Sequence, residues 1–228
     1  MKLWLLLCLF LTLRGGSCQP AGSGIRFIDH SYRKYVGTRG SKNHPWKNGF
    51  DMFTKRGFHM VPVLGDVSAE PVSSIPTSLG PVQLSAATPF VLQDFAAEYG
   101  IPTIWPYCES TKKCLVYNQP KAPALKEAIT VTLPPGVSAV DMYIDAAIDC
   151  VTTLRALVSC KLTVQPGDVQ VKVKVSSVCS EANVGKYVGF LDETGASIDS
   201  VTIRCKSTYP NALALMRVGK KVQKAVHV

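Results

Sequence analysis

Residues 140–150 read VDMYIDAAIDC, and the period assigned to this stretch decides the fold. Read as a strand, Val140, Met142, Ile144, Ala146, Ile148 and Cys150 fall on one side without a break. The other side carries Asp141, Tyr143, Asp145, Ala147 and Asp149, because side chains alternate along a strand. Read as a helix, Val140, Ile144, Ile148 and Val151 form a stripe with the aspartates beside it. The strand accounts for more residues and keeps Cys150 inward, so the aspartates are expected on a solvated outer face. Aspartates four residues apart on a strand are about 13 Å apart. Calcium needs about 6–8 oxygens in a compact loop, so no metal site is assigned to Asp141, Asp145 and Asp149.

The neighbouring runs have the same period. ITVTL precedes the turn PPG, LTV and VQVKVKV flank QPGD, and KYVGFLD and SVTIRC flank ETGA. Closely spaced turn signals between β-branched runs predict antiparallel β structure. Lys172, Lys174 and Lys186 are read as solvated strand faces or edge protection. The predicted fold is mostly β: a disulfide-bonded, antiparallel β-sandwich-like domain over residues 88–210, with one short helix before it. That helix is placed in TPFVLQDFAAEYG, with Thr88 as N-cap, Pro89 in the first turn, Gly100 as the stop, and Val91, Phe95 and Tyr99 on its core face.

The first 18 residues have the form of a secretory signal peptide. Lys2 is followed by the apolar run Leu3–Leu13 and by the small residues Gly15, Gly16, Ser17 and Cys18. The run is shorter than the roughly 20 apolar residues a membrane span requires, so no transmembrane anchor is expected. Cleavage after Cys18 leaves Cys108, Cys114, Cys150, Cys160, Cys179 and Cys205. An even count in an oxidising compartment predicts three disulfides. Zinc is a poor alternative, since no Cys-x-x-Cys occurs. Cys108 and Cys114 are paired across a local turn, and the three pairings of the other four stay open. Cys160 shares its strand face with Val158, Leu162 and Val164, and Cys205 shares its own with Val201 and Ile203. The cysteines are therefore expected to be buried and structural.

Charge is unevenly distributed along the chain. Residues 19–65 hold eight Lys/Arg against two acids, residues 66–204 ten against fourteen, and residues 205–228 five against none. Residues 19–66 are read as a basic, aromatic-rich N-terminal arm, 67–87 as a Pro/Ser-rich connector, and 211–228 as a basic C-terminal tail. Basic arms attract polyanions over long range. Outside the cell these would be acidic polysaccharide, anionic membrane surfaces or acidic matrix proteins, and no nucleic-acid-binding signature is present.

Catalytic signatures are missing. There is no Gly-x-Ser-x-Gly, His-Glu-x-x-His or phosphate-binding loop, and His30, His44, His59 and His227 all fall in the arms. No catalytic residue, cofactor or metal is assigned. Lys55-Arg56 and Gly219-Lys220-Lys221 have the form of processing signals. The sequence thus points to a secreted, non-enzymatic structural or interaction protein of an extracellular matrix or coat, associated with polysaccharide or mineral. A secreted defence or signalling protein or precursor acting through its basic arms is the alternative, and a hydrolase using paired carboxylates is a third class.

Overall fold

The computed structural model describes residues 24–29, 52–65, 68–86, 90–93, 114–117, 128–146, 155–178, 186–205 and 211–222. The strands are β1 (Ile25–Asp29), β2 (Phe58–Pro62), β3 (Ser68–Val72), β4 (Ser74–Ile75), β5 (Val82–Ser85), β6 (Phe90–Gln93) and β7 (Cys114–Tyr117). They continue with β8 (Ala128–Thr132), β9 (Ala139–Ala146), β10 (Arg155–Gln165), β11 (Val169–Val178), β12 (Lys186–Asp192), β13 (Ser200–Cys205) and β14 (Asn211–Lys221). One short helix, α1 (Met52–Lys55), precedes β2. The described pairings are all antiparallel.

Two sheets form a sandwich-like arrangement. Sheet A runs β1-β12-β9-β14-β7-β6-β3, with β2 also paired to β14. Sheet B runs β11-β10-β13-β8-β5-β4. Between them lies one apolar core. Sheet A supplies Val140, Met142 and Ile144 from β9, Val188 and Phe190 from β12, and Met216 and Val218 from β14. Sheet B supplies Leu162 and Val164 from β10, Val201 and Ile203 from β13, and Ile129 and Val131 from β8. This is the alternation read in the sequence, realised on two facing sheets. The three expected turns also form, and Gly136 and Gly195 in two of them take positive φ, 76° and 84°, which favours glycine.

Cys160 and Cys205 lie opposite each other on β10 and β13 and form a disulfide. Both are buried among the apolar residues of their strands, as their parity requires. The bridge therefore joins neighbouring strands of one sheet. Cys114 lies in β7, whereas Cys108, Cys150 and Cys179 are outside the described residues.

Three readings need correction. The expected helix at 88–100 does not hold where it is described, because Phe90–Gln93 is strand β6. Its ladders to β3 and β7, and the burial of Phe90 and Leu92 on one face, outweigh a local pattern that also suited a helix. The connector contributes β3, β4 and β5, with Ile75, Val82 and Leu84 buried. Segments assigned to the arm and the tail are built into sheet A. β1 is its edge strand, and β14 pairs with β9 on one side and with β7 and β2 on the other.

A β-bulge breaks the strand period within this tail segment. Leu213 pairs with Ile144 and Ala214 with Tyr143, but the next pair is Arg217 with Asp141. One extra residue on β14 shifts the parity. Leu213, Met216 and Val218 can then all be buried in the core, and Arg217 turns to the outer face.

The outer face of sheet A is not bare. Met52 and Phe53 of α1 and Phe58 of β2 are buried outside the main core, together with Ile28, Tyr187 and Leu191 of the sheet. Phe53 sits over Gly189, where a Cβ would come within 2.9 Å of its ring. The N-terminal segment thus makes a second, smaller apolar layer.

Candidate functional site

Asp141, the first aspartate of the opening stretch, does point to the outer face of sheet A. It is nevertheless fully buried, because α1 covers that face. The expectation of a solvated carboxylate row is therefore corrected at Asp141. The side chain of Asp145 is not described, and Asp149 lies outside the described residues.

Tyr187 and Arg217, on neighbouring strands, both reach the buried carboxylate. On β12, Tyr187 donates its hydroxyl to Asp141 Oδ2 at 2.9 Å. On β14, Arg217 donates Nε–H to Oδ1 at 3.0 Å and an Nη2 proton to Oδ2. The bulge and the register place Arg217 directly across from Asp141. The guanidinium also lies 5.9 Å from the centre of the Phe53 ring, within cation–π range. A two-point Arg–carboxylate fork with a tyrosine as third partner is a fixed internal contact. It ties β9, β12 and β14 together beneath α1.

The accessible chemistry lies at the end of the same sheet. Pairing of β2 with β14 sets His59 opposite Lys220 and Phe58 opposite Lys221. The bases of the predicted arm and of the predicted tail are thereby brought to one place. Three bases of these segments meet at Glu193, in the turn after β12. Arg26 Nη2 lies 2.9 Å from Glu193 Oε2, Arg56 pairs with Oε1, and Lys221 donates its ammonium to the Glu193 carbonyl.

Local structure holds this rim in place. Asp192 Oδ1 accepts the Thr194 N–H at 2.8 Å, which fixes the turn that carries Glu193. Val222 N–H bonds the Gly57 carbonyl at 2.7 Å, and Lys221 N–H bonds Ser138 Oγ at 3.0 Å. Lys221 Nζ lies 5.7 Å from the Phe58 ring centre. Lys55, His59 and Lys221 are exposed, while Arg56 and Lys220 are half-buried. The Arg26 side chain is 49% exposed and that of Glu193 37%. Arg26, Arg56 and Lys221 thus meet at the half-exposed Glu193, since Asp192 is buried in its own turn.

The remaining singled-out residues lie elsewhere. Lys172 and Lys174 are exposed on β11, the edge strand of sheet B, which suits edge protection. His30, His44 and His227 and the signal segment 1–18 lie outside the described residues. No group of three His, Cys, Asp or Glu that could hold a metal occurs among the described residues. Among them, no helix is long and apolar enough to cross a membrane. Gly219, within one of the two processing-like motifs, is buried between β9 and β2. The rim itself was missed in the sequence, where its halves stand about 160 positions apart; the signal was the positive charge of both segments.

No protein-family model matches the chain, and no curated protein matches it in sequence. Among solved structures, a family 29 carbohydrate-binding module from Piromyces equi aligns over 75% of this chain and 95% of its own, at 12% identity and a TM-score of 0.37. A family 32 carbohydrate-binding module from C. perfringens NanJ, in complex with galactose, aligns over 64% of this chain and 98% of its own, at 14% identity and a TM-score of 0.31. The CBM22-1 xylan-binding domain of Paenibacillus barcinonensis Xyn10C aligns over 62% and 87%, at 11% identity and a TM-score of 0.33. At these scores the neighbours say nothing about this chain's ligand.

Proposed function

We propose that this chain is a secreted, non-enzymatic binding protein of an extracellular matrix or coat, and that it engages acidic polysaccharide through the rim of Arg26, Lys55, Arg56, His59, Lys220 and Lys221. One observation carries the reading: two basic segments, distant in sequence, are joined by the β2–β14 ladder at one end of sheet A. Clustered cations on a rigid sheet end attract a polyanion more effectively than the same charges scattered over the surface. The buried Cys160–Cys205 disulfide is in keeping with an oxidising compartment. Acidic matrix proteins would meet the same surface by the same chemistry.

The test is salt elution from a heparin column. A Lys55→Glu/Lys220→Glu/Lys221→Glu variant is expected to elute at clearly lower salt than the parent chain. Lys172→Glu/Lys174→Glu on the far edge strand serves as the control. If the two variants lose retention equally per charge changed, net charge governs binding and the rim has no special role.

The alternative, a defence or signalling precursor that releases its basic segments, has less support. Freeing residues beyond Gly219 means breaking the Lys220–His59 and Lys221–Phe58 pairs to β2 and the Lys221–Ser138 hydrogen bond. An intact mass for the secreted chain equal to its full mature length would count against release.

A further inference from the structure

Glu193 has an unusual position in the rim. Its carboxylate is the surface acid around which the bases gather. Each oxygen faces a different arginine, Arg26 from β1 and Arg56 from the turn after α1. Lys221 is held at the same residue through the Glu193 carbonyl, a contact that does not depend on the side chain. The turn below it is fixed by the Asp192–Thr194 hydrogen bond and by Gly195 at φ 84°. Glu193 therefore presents one acidic group, at a set place, to arginines supplied by two separate elements, with Lys221 held at its backbone.

Resting on the polyanion reading above, we propose that the Glu193 carboxylate is a built-in stand-in for the acidic group of the ligand. The ligand class is a polymer bearing carboxylate or sulfate groups, either of which offers the paired oxygens that two guanidinium groups accept. Binding is then an exchange. An incoming acidic group takes Arg26 and Arg56 from Glu193, which is half-exposed and free to swing into water. Exposed ion pairs are weak, so the exchange has little to overcome. The consequence is selectivity. A single charge must displace a carboxylate already paired with both arginines, whereas a polymer with repeated charges also engages other bases of the two joined segments.

Glu193→Gln separates this from a purely structural role. It removes the internal competitor while keeping the size of the side chain and the Lys221–carbonyl contact. Affinity for dextran sulfate, which carries only sulfates, and for alginate, which carries only carboxylates, is measured by calorimetry at low salt. The variant is expected to bind at least one of them about threefold to tenfold more tightly than the parent. The polymer that gains more identifies the acidic group preferred. Without ligand, its melting temperature should fall at low salt and recover at high salt, as three crowded cations require.

Unchanged or weaker binding by Glu193→Gln, with the Lys55/Lys220/Lys221 variant still impaired, overturns the stand-in role and leaves the polyanion reading intact. Parent protein that binds neither polymer overturns both. Should Glu193→Gln fail to fold, Glu193→Asp serves, because its shorter carboxylate cannot reach both arginines; a gain in affinity is again expected, and no gain again overturns the proposal.

Discussion

At the scale of the residue, Asp141 shows how burial can turn a surface aspartate into a structural one. Its pairing with Arg217 and Tyr187 offsets the cost of taking a carboxylate out of water. Removing one partner leaves the other charge buried without it. Arg217→Met is therefore expected to lower the unfolding free energy by about 3–5 kcal/mol in a urea titration. The triple change Asp141→Leu/Arg217→Met/Tyr187→Phe removes both charges and the hydroxyl of this contact at once and should cost much less. Equal losses from the single and the triple changes would show that packing, not charge pairing, sets the value. None of this was legible in VDMYIDAAIDC alone. The strand period placed Asp141 on the outer face, but nothing local indicates that Phe53, almost ninety positions earlier, covers it.

At the scale of the element, alternating β-branched runs between turns were read correctly: β8 to β13 fall where the pattern put them. Two features opposed such reading. The segment Phe90–Gln93 is too short for its period to distinguish strand from helix, and its ladders decided the matter. In β14 the bulge breaks the alternation, so Leu213, Met216 and Val218 share a core that no single period assigns them. The disulfide is the other element-level device. Cys160 and Cys205 close a loop of 45 residues in sequence. Replacing both with alanine should lower stability by about 2–4 kcal/mol, measured by urea unfolding against the parent chain under non-reducing conditions. A loss well below 1 kcal/mol would mean that the bridge merely decorates a ladder already stable without it.

At the scale of the whole molecule, the chain is closed by its two ends. β14 lies between β9 on one side and β7 and β2 on the other, so the last described residues are among the most heavily paired in sheet A. A chain ending at Pro210 is expected to lose cooperative thermal unfolding, followed by circular dichroism. A chain ending at Val222 should keep it, because β14 and the Val222–Gly57 bond remain. If the chain ending at Pro210 melts as sharply as the parent, residues 211–222 are a dispensable tail after all. The same closure makes the candidate site: His59 and Lys220 become neighbours only once β2 has docked on β14.

What the sequence determined by itself was the material of the fold: period-two runs, their turns, and the face on which Cys160 and Cys205 lie. Those signals are local, because a strand's alternation and a glycine's positive φ depend on the chain within a few residues. It also showed that both flanking segments are basic, which fixed the sign of any charged partner. Only the tertiary structure decided which strands are neighbours, that α1 roofs Asp141, that the bulge turns Arg217 toward it, and that two distant basic segments meet around Glu193. Each of these depends on ladder hydrogen bonds and burial between residues far apart in the chain, and no local pattern records them.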